Sequence, residues 1–206
     1  MGVARVGTLH DFRRLEHKRG IADSEEGKKL VHHRIGHLVT GQGGSAGPTA
    51  EKDLRSLEEF GAIKVEEGVK FTLSNFTVMK PFESPDFYVY CLSHKHNPSM
   101  HAQFEGSDSV VQIASPKMFF TLLTESLTSL QPVRFLGLHA VSYQSKAEPW
   151  NGLDWGRHPA LVKELRFAPQ FELRAIWQPL HQQQIEPVVL GHRGLPGCCK
   201  LLEPTR

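Results

Sequence analysis

Glu172 is the side chain whose setting most invites chemistry. It stands in the stretch Arg166 to Pro179, RFAPQFELRAIWQP. Phe167, Phe171, Leu173, Ala175 and Trp177 alternate there with Arg166, Gln170, Glu172 and Arg174. Period two over such a length predicts a half-buried β-strand. The odd positions then face the core. The even positions set Gln170 and Glu172 side by side on the other face, about 6.5–7 Å apart. A carboxylate on a rigid strand, with an amide two residues before it, is well held for aiming at a ligand. The plainer account of Gln170, Glu172 and Arg174 is the solvated face of an antiparallel strand.

The rival chemistry is a metal site. His94 and His96 are two apart, His101 follows, and His32, His33 and His37 offer further imidazoles. Histidines so spaced can share a zinc ion and serve a metal-dependent nuclease or hydrolase. No His-Glu-x-x-His motif and no zinc-finger cysteine pair accompanies them. Cys91 is a poor nucleophile on this reading, because an apolar strand raises a thiol's pKa. Cys198 and Cys199 lie near the C-terminal end and carry no evident role. Arg13, Arg14, Lys18 and Arg19, continued by Lys28, Lys29 and Arg34, make a basic arm. It is either a solvated charged face or a contact for a polyanion.

These residues need elements to position them. Met1 to Leu9 reads as a short strand carrying Arg5. His10 to Lys18 is a short helix or an exposed arm, and Leu30 to Val39 a strand. The glycine-rich stretch from Thr40 to Pro48 lacks the Walker and Rossmann spacings, so it reads as a connector. A helix follows through Leu54, Leu57 and Phe60, ended by Gly61. Ala62 to Glu66 and Val69 to Met79 read as strands joined by a turn at Glu67-Gly68. Phe87 to Leu92 is a continuous apolar run, expected to be a strand buried on both faces and ending at Ser93. After a strand at Ser109 to Ala114, Ser115 and Pro116 open a helix with an apolar stripe from Met118 to Leu130. Val133 to Tyr143 and Gln184 to Leu190 are the remaining strands, with one helical turn expected at Pro159 to Leu165. The residues from Gly191 onward are expected to be a loose tail. Many strands, few helices and no regular βαβ alternation predict an α+β fold with a mixed or antiparallel sheet core and two or three helices.

Length and composition agree. The chain's 206 residues suit a single domain over 1–206, with 39% apolar and 22% charged residues. A net charge of +2 creates no overall field toward nucleic acid or membrane. No apolar run is long enough to span a bilayer, and the first residues lack the apolar core of a signal peptide. Three cysteines without a framework fit a reducing compartment, so a cytoplasmic location is expected.

Cys91-Leu92-Ser93, His101 to Phe104, Gly106, and Gln170-Phe171-Glu172-Leu173-Arg174 with Trp177 occur in that order. With Arg5 to Leu9, Asp11-Phe12-Arg13 and Glu25-Glu26-Gly27, the chain resembles a poorly characterised bacterial domain family with phage- and defence-associated members. The order of an arginine strand, a serine-ending strand and a Gln-x-Glu strand is similar to the arginine–serine–glutamate class of ADP-ribosyltransferases. The resemblance implies an ADP-ribosyltransferase-like fold, NAD as substrate, and a cleft that draws on three strands. It implies that Arg5, with Thr8 nearby, holds the cofactor's diphosphate and ribose, and that Ser93 supports the glutamate and the nicotinamide ribose. Glu172 would bind the ribose hydroxyl and stabilise the transition state, and Gln170 would orient the acceptor. Cleaving nicotinamide from ribose builds an oxocarbenium-like cation, which a fixed carboxylate stabilises beyond the ground state. The implied setting is a toxin, phage or defence enzyme with a protein or nucleic-acid acceptor and an antitoxin or immunity partner. The alternatives are the histidine metal site and a non-catalytic binding module on the same fold.

Overall fold

A computed structural model describes residues 1–14, 21–40, 47–64, 68–96, 104, 109–181 and 184–202. In chain order the strands are β1 (Gly2–Thr8), β2 (Lys28–Val39), β3 (Thr72–Glu83), β4 (Tyr88–Ser93), β5 (Val110–Ile113), β6 (Val133–Ala140), β7 (Ser142–Tyr143), β8 (Ala147–Pro149), β9 (Val162–Lys163), β10 (Glu172–Pro179), β11 (Val188–His192) and β12 (Cys199–Leu202). The α-helices are α1 (Pro48–Glu59) and α2 (Pro116–Thr128). The architecture is α+β with antiparallel and mixed sheets, as the sequence predicts. Among the described residues no helix is long and apolar enough to cross a membrane.

The chain divides into two compact units. Unit 1 comprises Met1–Gly27, Ser84–Gln144 and Ala160–Arg206, and unit 2 comprises Lys28–Glu83 and Ser145–Pro159. In unit 2 the sheet order is β3-β2-β8, with β8 parallel to β2. Leu57 of α1 packs there with Ile35, Leu38 and Val78. The strand expected at Ala62 to Glu66 does not form at Ala62–Lys64, which lie outside any helix or strand.

Unit 1 is built on a five-stranded antiparallel sheet of order β11-β1-β4-β10-β6. Period two divides its side chains between two faces. Val6, Tyr88, Ala175 and Trp177 lie on one face, under Phe119, Phe120, Leu123 and Leu127 of α2. Those four α2 positions follow helical spacing, and Pro116 sits in the first turn, where its missing N–H costs nothing. Trp177 fills the centre and its Nε1–H donates to Thr124 Oγ1 at 2.7 Å. The loose tail expected from Gly191 onward is instead built into this core as far as Leu202. β12 pairs with β5 from Cys199↔Ile113 to Leu202↔Val110, and Leu195 and Cys198 are buried beside α2. Glycine and proline there shape a short 3-10 turn rather than a loose end.

The largest correction concerns Arg166 to Pro179. The strand begins at Glu172, and Leu165–Gln170 form a 3-10 helix containing Pro169. Proline has no N–H to give a central strand, and β10 lies between β4 and β6. The alternation before Glu172 therefore reflects a short helix, not a pleat. Nor is the even face of the strand solvated. Glu172 is 5% exposed, Arg174 is fully buried, and Ile176 packs with Leu9, Val89 and Ala160. Both faces of β10 are covered.

Candidate functional site in the unit 1 sheet

Register assigns the second face. Glu172 lies directly opposite Ser93, Arg174 opposite Cys91 and Ile176 opposite Val89. Residues directly opposite one another share a face. Gly7 is opposite Val89, so Gly7 and, two residues earlier, Arg5 point the same way. β1 pairs with β4 only at Gly7 and Thr8, and its earlier residues pair with β11. The two strands thus part company beyond Gly7. A cleft of about 540 Å³ lies there, lined by Arg5, Cys91, Ser93, Lys163, Gln170 and Glu172 among others, with Phe12, Ile21 and Phe104 also on its wall. That volume lies within the range of small-molecule sites.

Glu172 sits in a chain of buried charges. Its Oε1 accepts from Arg174 Nε at 2.6 Å and its Oε2 from Lys163 Nζ at 2.7 Å. Arg174 also donates from Nη1 and Nη2 to the two oxygens of Glu26, at 2.7 and 3.0 Å. Lys163 Nζ is 4.0 Å from Glu26 Oε2 and donates to Gln170 Oε1 at 3.2 Å. Two carboxylates thus meet two cations and the formal charge cancels, which is how buried charges are tolerated. Arg174 serves as the bridge because its planar fork makes bidentate and single contacts at once.

Several local features hold this arrangement. Lys163 comes from β9, which pairs in parallel with β7 and sets Lys163 beside Tyr143. The Tyr143 hydroxyl accepts from the Glu172 backbone N–H at 2.7 Å. Glu26 precedes Gly27, whose φ is +69°, and a Cβ on Gly27 would lie 2.7 Å from Leu9 Cδ2. Only glycine fits that turn without strain. Phe171, between Gln170 and Glu172, has φ +46° and ψ +46°, a left-handed conformation rare for a bulky residue. It swings the chain from the 3-10 helix into β10, so both Gln170 and Glu172 reach the cleft although no common strand carries them. Strained backbone of this kind is concentrated at functional sites. The Phe171 carbonyl accepts from His94 N–H at 3.0 Å and lies 3.4 Å from Ser93 Oγ.

Burial pushes the Glu172 carboxyl toward neutrality, but the Arg174 guanidinium and then the Lys163 ammonium outweigh it, lowering its pKa to about 2. Burial works against the Lys163 ammonium as well, yet Glu172 holds its pKa above the ordinary value. Cys91 is open to the cleft, but protein crowds around it. That crowding and then the Glu172 carboxylate raise its thiol well above its usual range, so it is no ready nucleophile.

The acid limb of stability should report this network. The folded pKa of Glu172 lies below its unfolded value, so its contribution is whole above about 4.5 and is lost as pH falls through about 2. That shift corresponds to on the order of 3 kcal/mol. Urea midpoints of the wild type should therefore fall more steeply from pH 5 toward pH 2 than those of Glu172→Gln. Parallel curves for the two proteins would show that the network does not hold the carboxylate ionised.

The structure brings Arg5, Ser93, Gln170 and Glu172 to one cleft. Thr8 is not among the lining residues. It is buried, and its Oγ1 accepts from Asp11 N–H at 3.1 Å. Asp11 Oδ2 in turn accepts from Arg5 Nη2 at 2.7 Å, so Thr8 stands two contacts behind the guanidinium. The Arg5 side chain remains 48% exposed. Lys163, Glu26 and Tyr143 escaped the sequence reading. Glu26 stands in the acidic Glu25-Glu26-Gly27 run, and Lys163 falls within Pro159 to Leu165, where the sequence predicts a helical turn.

Among the described residues no group of three His, Cys, Asp or Glu side chains is placed to hold a metal ion. His94 packs edge-on against Phe171, His33 Nε2 is 2.6 Å from Asp53 in unit 2, and His37 is 3.0 Å from Ser74 Oγ. His101 and Gly106 lie outside the described residues, as do Lys18 and Arg19. The rest of the basic arm is largely committed within the fold. Arg13 donates to the Glu26 carbonyl, Arg14 pairs with Asp11 and Glu186, and Lys29 with Glu148.

No family model, characterised protein or solved structure matches this chain.

Proposed function

We propose that unit 1 binds NAD in the cleft between β1 and β4 and cleaves the bond from nicotinamide to ribose, in the manner of an ADP-ribosyltransferase. The supporting observation is the convergence of Arg5, Ser93 and Glu172 from three strands on one cleft, with Ser93 directly opposite Glu172. Arg5, half exposed and steered by Asp11, holds the diphosphate through its planar fork. Ser93 steadies the strand end beside Glu172 and faces the nicotinamide ribose. Glu172 is ionised at neutral pH and fixed by two cations, so no proton must leave it and little reorganisation is needed as C1′ gains positive charge. Of the roughly four acceptor sites on its carboxylate, Arg174, Lys163 and the Cys91 thiol engage three, which leaves one for a ribose hydroxyl. The chemistry needs no metal.

One observation favours a second reading, a binding module without catalysis. Both oxygens of Glu172 already serve the buried network. That reading predicts NAD binding without nicotinamide release.

Titration calorimetry with NAD in the presence of EDTA tests the site. The wild type should bind, and Arg5→Ala should bind about tenfold more weakly through loss of a charge-assisted contact. Equal binding by both proteins, or binding that appears only on adding zinc, would contradict the assignment.

A further inference from the structure

The acceptor of the cleaved ribose can be argued from the floor of the same cleft, an inference that rests on the NAD reading above. Two facts bear on it. First, Glu172 is 5% and Gln170 3% exposed, so the reacting carbon must descend to a floor that is almost closed. Phe12, Ile21 and Phe104 line the same cleft. A protein side chain or nucleobase carried on its own backbone would have to follow the dinucleotide down to this floor, whereas a water molecule needs no such room. Second, Gln170 is turned toward Lys163. Its Oε1 accepts from the buried ammonium at 3.2 Å, and it ends a 3-10 helix instead of lying on the strand beside Glu172. A residue that orients an incoming macromolecule presents its polar group at an accessible surface, and Gln170 does not.

We infer that the acceptor is water, and that the chain is an NAD glycohydrolase. The water oxygen forms the new bond to C1′ of the nicotinamide ribose. The C1′–N bond breaks, and its electron pair returns to the ring nitrogen, so the pyridinium leaves as neutral nicotinamide. The proton lost by the water passes to solvent. One NAD and one water thus give one ADP-ribose, one nicotinamide and one proton. Gln170 is a positioning residue in this scheme: it holds Lys163, and Lys163 holds Glu172.

The test incubates the full chain with NAD labelled in its adenylate phosphate, together with a heat-treated cell lysate as a source of protein and nucleic-acid acceptors. Nicotinamide, free ADP-ribose and acid-precipitable label are measured together. The inference expects free ADP-ribose to equal nicotinamide mole for mole, with or without the lysate. Nicotinamide release with the label in the precipitate overturns the water acceptor and leaves NAD cleavage standing. No nicotinamide release overturns both. Gln170→Ala supplies a second readout. As a positioning residue it should lower nicotinamide and free ADP-ribose together, so their ratio stays at one. A ratio that changes in Gln170→Ala would restore an acceptor-orienting role and overturn the inference.

Discussion

Arg174→Met should destabilise unit 1 by about 3–5 kcal/mol, the range seen when one partner of a buried ion pair is removed. Arg174 is fully buried and joins Glu26 to Glu172. Without it, two buried carboxylates share one ammonium, which is 2.7 Å from Glu172 and 4.0 Å from Glu26. Methionine fills much of the volume, so the loss reports charge more than cavity. Adding Glu26→Gln should recover part of the loss, because the double variant again has one carboxylate for one cation. Residues in one network are expected to be non-additive in this way. Urea unfolding at neutral pH would measure it. A single variant within about 0.5 kcal/mol of wild type, the margin that surface substitutions show, would mean that the charges are hydrated.

Most of the elements that carry this site are legible in the sequence. The helix start at Pro116, the buried positions Phe119, Leu123 and Leu127 of α2, and the strand ending at Ser93 follow local rules that the structure keeps. By contrast, Ser115 makes no capping hydrogen bond, Met118 and Leu130 are exposed, and the Phe87 to Leu92 run is open at Cys91 rather than buried on both faces. Arg166 to Gln170 shows where local rules end. Its alternation matches a strand, yet Pro169 and the left-handed Phe171 make it a 3-10 helix that enters β10 at Glu172. Hydrophobic periodicity does not register a missing N–H or a positive φ. The burial of Glu172 and Arg174 was hidden for a different reason. An Arg and a Glu on alternate positions look like a solvated face until Glu26 and Lys163 arrive from distant parts of the chain. Pairing across such separations leaves no mark on the periodicity of either segment. The clustering of Arg5, Ser93 and Glu172 was expected only through resemblance. Strand register supplies it physically: Glu172 meets Ser93, and β1 diverges from β4 past Gly7.

Glu172→Gln should carry the largest kinetic effect. The amide keeps the shape and one acceptor oxygen, so contacts to Arg174 or Lys163 survive in part. The lost negative charge leaves a surplus cation in the network and weakens the fold. Glu172→Gln combined with Lys163→Met removes that surplus, and Arg174 keeps Glu26 as its partner. The double variant should therefore be more stable than Glu172→Gln alone. The rate should not follow stability. Removing one well-aimed electrostatic group costs about a hundred- to a thousandfold in turnover. Both variants should lose nicotinamide release by that factor and still bind NAD through Arg5. A catalytic defect that persists in the restabilised double variant separates loss of chemistry from loss of fold.

Chromatographic measurement of nicotinamide released from NAD in EDTA, by wild type and by Glu172→Gln/Lys163→Met, is the most direct test. The cleft assignment predicts steady release by the wild type and release about a hundred- to a thousandfold slower from the folded double variant. Release by the two proteins at the same rate, or none from a wild type that binds NAD, would contradict it.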